Sequence, residues 1–131
     1  MTLLAAHAPS IDSVDRWVHH PNGKIFTRTW PRGGSVCAPI VLLHDSLGCV
    51  ELWRNLPARL SQELDRTVIA YDRLGFGRSD ARAERPSLSF VAEEASQYFP
   101  VLYEQLGLRK VVLLGHSVGG GMAIETMLEG L

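Results

Sequence analysis

A chain of 131 residues, 46% hydrophobic and 21% charged, has the size and composition of one globular domain. Its net charge of -1 and pI near 6.5 give no electrostatic case for nucleic acid or an anionic membrane surface. Cys37 and Cys49 form no disulfide framework, the five histidines lack metal-ligand spacing, and no stretch approaches a membrane span. With an N-terminus that lacks the basic and apolar parts of a signal peptide, these features predict a cytoplasmic protein with reduced thiols, no metal and no cofactor.

Residues 1–15 read as a loose leader and 16–131 as the domain. Arg16 to His20 and Ile25 to Trp30 read as a β-hairpin turning at Asn22-Gly23, because both residues tolerate the positive φ of a two-residue turn. His19 and His20 are expected in solvent beside that turn. Ile40 to Leu43 is apolar without alternation, the pattern of a strand covered on both faces. Trp53, Leu56, Leu60 and Leu64 mark one buried helical stripe, and Pro57 places the start of regular helix there. Thr67 to Tyr71 is a further strand, with Gly75 and Gly77 allowing a tight loop after it.

From Ser89, an expected N-cap, Val91, Ala95, Phe99, Leu102 and Leu106 mark a second helix with Glu93 and Glu94 in its first turn. Pro100 predicts a kink or division, and Gly107-Leu108 a stop. After an apolar strand ending at Leu114, the last helix is expected to bury Ala123, Ile124, Met127, Leu128 and Leu131. Glu125 and Glu129 are expected outside, and Met122 and Met127 in the core. Strands alternating with helices predict an α/β fold with a mainly parallel sheet and flanking helices: the N-terminal hairpin plus three parallel strands.

The chemistry centres on Lys110 to Gly121, an apolar strand, a Gly-x-Ser-x-Gly turn over Gly115 to Gly119, and a helix start. A serine on such a corner takes a strained backbone conformation and projects from the top of the sheet. Glycines flank it because side chains would collide where strand and helix close up. The helix start offers free N–H groups and the positive dipole end to developing negative charge. Ile40 to Gly48 and the Asp72-x-x-Gly75-x-Gly77-x-Ser79 loop complete an ordered set of three motifs. Together they resemble the first half of the α/β-hydrolase superfamily, through its nucleophile elbow.

The resemblance implies that Ser117 attacks an acyl carbon and passes through an acyl-enzyme. The N–H of Val118 is then one oxyanion-hole donor, and the second comes from the loop after His44. That donor is Ser46, or Leu47 if the register differs, because Asp45 stands where the family carries glycine. Asp45 itself is read as a loop-ordering Asx residue. His44 matches the family's structural histidine, and the His116 side chain should diverge from that of Ser117, so neither is read as the base. Asp72 and Ser79 are read as turn and cap residues, and Trp53 as pocket wall or core.

Family members carry the acid and the base histidine on loops after later strands, in the order Ser, Asp or Glu, His. No residue here matches either, and Val111 to Leu114 would leave an apolar sheet edge. The expectation is therefore a truncated hydrolase core, inactive alone, or one whose sheet a second chain completes. Its substrate is expected to be a small-molecule ester, lactone or related acyl compound. The alternative is a non-catalytic remnant or partner-completed module that keeps the elbow only as structure. Nucleotide binding fails on spacing: Gly115-x-Ser117-x-Gly119 is not Gly-x-Gly-x-x-Gly, and there is no Gly-Lys-Ser/Thr loop.

Overall fold

A computed structural model describes residues 12–130. Five strands form one mixed sheet: β1 (Val14–His20), β2 (Gly23–Trp30), β3 (Ile40–Leu43), β4 (Val68–Tyr71) and β5 (Val112–Gly115). Their spatial order is β1-β2-β4-β3-β5. β1 and β2 pair antiparallel, as do β2 and β4, whereas β4, β3 and β5 run parallel. The hairpin plus three parallel strands is the expected arrangement, with β1 starting at Val14 inside the stretch read as leader. The remainder of that stretch up to residue 11 lies outside the described residues.

Both faces of β3 and β4 are covered, which is why they carry unbroken apolar runs. Val41, Leu43, Ile69 and Tyr71 point into one cluster with Phe99, Leu102 and Met122. Ile40, Leu42, Val68 and Ala70 point the opposite way, against Phe26, Trp30 and Val50, with Trp53, Ala58 and Leu60 packed on them. The second layer belongs to a 3-10 turn (Val50–Trp53) and α1 (Leu56–Leu64), with Pro57 in its first turn as expected. Pro57 and Ser61 are the buried residues of α1, whereas Leu56 and Leu64, expected on the buried stripe, are exposed at the two ends of the helix. The first layer belongs to α2 (Phe90–Glu93), a π-helical segment (Glu94–Tyr98), α3 (Phe99–Gln105) and α4 (Val118–Leu128).

Three local expectations need correction. The hairpin loop is Pro21-Asn22, because His20 already pairs with Gly23, and only Gly23 takes a positive φ, +145°. Proline fixes the first turn residue and moves the turn one position back. His20 is not free in solvent: its ring stacks on Tyr98 at 4.4 Å, and its Nε2 lies 3.0 Å from the Gln97 carbonyl. Ser89 occupies the N-cap position without a side-chain cap bond, while Ser87 Oγ accepts from the Ser89 N–H and donates to Glu93. The division expected at Pro100 is present: the π-helical segment ends at Tyr98 and α3 carries Pro100 in its first turn, with the Phe99 N–H reaching back to the Glu94 carbonyl. Pro100 has no N–H to complete an α-turn, and the wider π-turn absorbs that loss.

The buried face of α4 also differs. Gly119, Met122 and Thr126 face the sheet, whereas Ile124, Met127 and Leu128 are exposed. This helix is apolar nearly all round, so periodicity alone does not select its inner face. Met122 is core as expected and Met127 is not; Leu131 lies outside the described residues.

Candidate active site

In open α/β sheets the crevice forms where the strand order reverses, outside the carboxyl ends of the strands. Here the chain passes from β3 to β4 on one side and then back across to β5 on the other. The loops after β3, β4 and β5 therefore meet at one end, and they carry the three sequence motifs.

The corner after β5 has the strained form expected of it. Ser117 takes φ 58°, ψ −119°, a combination L-residues avoid, and its side chain is exposed. The neighbouring glycines are sterically required. A Cβ on Gly115 would strike the Gly119 carbonyl, and one on Gly119 would strike the Leu43 and His44 carbonyls. The Gly119 and Gly120 amides return to the His116 and Ser117 carbonyls at 2.9 and 2.8 Å, and the His116 amide binds the Leu43 carbonyl at 3.0 Å. Val118 is the first residue of α4, where amides have no intrahelical acceptor.

Facing it, residues 45 to 48 make a turn closed by the Gly48 N–H on the Asp45 carbonyl at 3.2 Å. Ser46 and Leu47 are its corners; both are exposed, and Ser46 lines the adjoining cleft. Among the described residues the Ser46 and Val118 amides donate to no protein acceptor. The Asx role expected for Asp45 falls to its main-chain oxygen, which takes Gly48 N–H, His44 Nδ1 at 2.8 Å and Arg73 Nη2 at 2.8 Å. Its carboxylate places one oxygen 3.7 Å from His116 Nδ1 and the other against Gly48 inside the turn, where a Cβ on Gly48 would strike it.

His44 is structural, as the resemblance implied. It is buried, its Nε2 accepts the Arg73 N–H at 3.1 Å, and its Nδ1–H donates to the Asp45 carbonyl. Burial first, then the Arg73 charge, pulls its pKa down to about 4, so both ring nitrogens are committed and the ring is neutral. Asp72 and Ser79 are likewise structural. Asp72 accepts from the Val50 and Arg78 amides at 2.6 and 2.9 Å, and Ser79 Oγ joins the Asp72 carbonyl to the Phe26 amide. Trp53 packs against the second apolar cluster, its ring 6.3 Å from that of His116.

Two residues escaped the sequence reading. Arg73 is buried, and its guanidinium binds the His44 carbonyl at 2.6 Å and the Asp45 carbonyl at 2.8 Å. Glu94, expected in the first turn of the second helix, is buried and accepts the Tyr71 hydroxyl at 2.7 Å. Burial holds the Glu94 carboxyl above its ordinary range and pushes the Tyr71 hydroxyl up. The signal for Glu94 was its place in the four-residue row Phe90, Glu94, Tyr98, Leu102. Ser46, Arg73, Phe76, Arg82, Glu94 and Met122 are among the walls of a cleft of about 190 Å³. Among the described residues no three His, Cys, Asp or Glu side chains gather as metal ligands, and no helix is long and apolar enough to cross a membrane.

A family model described as the alpha/beta hydrolase fold matches residues 38–128. The chain belongs to the alpha/beta hydrolase fold family. This alpha/beta hydrolase chain is 40% identical over 117 residues to the 1-acylglycerol-3-phosphate O-acyltransferase ABHD5 of Pongo abelii, covering 86% of this chain and 32% of that protein. It is 37% identical over 92 residues to the proline iminopeptidase of Lactobacillus acidophilus, covering 70% of this chain and 31% of that one. The chain thus spans about a third of the length of these curated relatives. Among solved structures it superposes on Est816, described as an N-acyl homoserine lactone degrading enzyme, with TM-score 0.73 and 27% identity, over 88% of this chain and 40% of that one.

Proposed function

We propose that this alpha/beta hydrolase core performs acyl transfer through Ser117, acting on an ester, lactone or related acyl bond of a small molecule. The observation that carries the reading is the strained backbone of Ser117, φ 58° and ψ −119°, at the start of a helix. Strain of this kind costs about 1–3 kcal/mol and persists where it serves a site. In this reading the Ser117 hydroxyl attacks the acyl carbon, the carbonyl oxygen becomes an anion, and the amides of Val118 and Ser46 receive it. The leaving alcohol departs with a proton, and water releases the acyl group. His44 is committed to the loop, so the base and its orienting acid are proposed to come from a later segment or a second chain that also covers β5.

The names of the matched relatives span acyl transfer to a lysophospholipid, peptide hydrolysis and lactone degradation, all acyl chemistry. The relative named as an acyltransferase favours one variant of the reading, in which an alcohol replaces water as acceptor. Turnover of a p-nitrophenyl ester by the assembled protein, with and without added alcohols, separates the two by product. Ser117→Ala is expected to lower turnover by at least about 10³-fold. Turnover unchanged in that variant refutes the acyl-enzyme and leaves the elbow as structure only.

A further inference from the structure

A peptide unit is planar and trans, so its C=O and N–H point in opposite directions. The Asp45 carbonyl and the Ser46 N–H belong to one such unit. Whatever grips the Asp45 oxygen therefore aims the Ser46 amide the other way. Of the three donors on that oxygen, the one from outside its own loop is Arg73, which lies after β4. Its Nη2 binds the Asp45 carbonyl at 2.8 Å, its Nη1 binds the His44 carbonyl at 2.6 Å, and its own N–H binds His44 Nε2 at 3.1 Å. His44 Nδ1 at 2.8 Å and the Gly48 N–H at 3.2 Å are the other two donors to the Asp45 oxygen.

The choice of an arginine is informative. A buried guanidinium is costly unless its donors are satisfied. Among the described residues Arg73 makes no ion pair within 4.0 Å, and its fork is spent on two successive main-chain carbonyls while the Phe76 ring lies 4.9 Å away. A planar fork spans two carbonyls at fixed spacing; the point charge of lysine does not.

We propose that Arg73 is a positioning residue for the Ser46 oxyanion donor: it holds peptide units 44–45 and 45–46 with their oxygens inward, so that the Ser46 N–H faces the crevice. The proposal rests on the reading of Ser46 as a donor to the reacting acyl oxygen, and its test separates the two. Arg73 lines the cleft, so methylguanidinium added to Arg73→Met serves as a rescue probe for the lost guanidinium. Residual dipolar couplings of the ¹⁵N-labelled protein report the direction of the Ser46 N–H, and Val41 and Leu42 in β3 serve as controls. The expected result is a changed Ser46 coupling in Arg73→Met, unchanged Val41 and Leu42 couplings, partial return in Arg73→Lys and return on adding methylguanidinium. The rate of Ser117 labelling by a fluorophosphonate in the assembled protein is expected to fall about 10- to 100-fold in parallel, as for a misplaced catalytic group. An unchanged Ser46 coupling overturns the proposal, as does a change spread equally over β3. A local change in coupling with an unchanged labelling rate keeps the Arg73 grip but refutes Ser46 as a donor.

Discussion

His44 shows how burial removes a side chain from the chemistry beside it. Folded, it titrates at about 4 against an ordinary value of 6.5. Between those values the unfolded chain binds the extra proton, so this stabilisation is present above about pH 6.5 and is lost as pH falls toward 4. A shift of this size corresponds to about 3 kcal/mol. Glu94 acts with the opposite sign: its carboxyl is held above the ordinary range, so its contribution is lost as pH rises. Urea unfolding of wild type and His44→Gln at several pH values isolates the histidine. The stability difference between them is expected to shrink by about 3 kcal/mol from pH 7 to pH 4, and a pH-independent difference contradicts the assignment.

Ser117 is a second residue whose local cost is measurable. Glycine adopts positive φ without penalty, so Ser117→Gly is expected to raise unfolding stability by about 1 kcal/mol while abolishing acyl transfer. A destabilised variant would mean that the serine hydroxyl, and not the site, maintains the corner. Gly119 tests the same corner from the other side. Its Cα abuts the Leu43 and His44 carbonyls, and Gly119→Ala is expected to cost about 2–3 kcal/mol in denaturant unfolding.

At the scale of elements, β3, β4 and the elbow were legible because their sequences combine two local rules with the same answer. Apolar runs without alternation gave strands buried on both faces, and glycines marked the corners where backbones touch. The π-helical segment was half legible: Pro100 announced a division, but its location at Glu94–Tyr98 depends on where the preceding helix starts. The inner face of α4 was not legible, since Ile124, Met127 and Leu128 compete with Met122 and Thr126 on a helix apolar nearly all round. Arg73 was missed for a related reason. Its role lies in contacts with carbonyls 28 and 29 positions away, which no local pattern encodes.

Across the whole molecule, the sheet has two unlike edges. At the β1 edge the Gln105 side-chain amide pairs with both the N–H and the carbonyl of His19, at 2.8 and 2.7 Å, blunting the strand. At the β5 edge Val112 and Leu114 are 42% and 36% exposed, on the face where α1 covers β2 and β4 but does not extend over β5. An apolar edge of this kind invites pairing. Sedimentation of the chain is expected to show concentration-dependent association that Leu114→Lys suppresses, whereas the same association in wild type and variant contradicts a role for β5. The proposed later segment or second chain would occupy that edge.

The central claim is that the hydroxyl at position 117 carries the acyl group. Peptide mapping by mass spectrometry of the assembled protein after fluorophosphonate treatment tests it most directly. One adduct is expected, on the peptide containing Ser117, and none in Ser117→Ala. An adduct on another residue, with Ser117 unmodified in an active preparation, contradicts it.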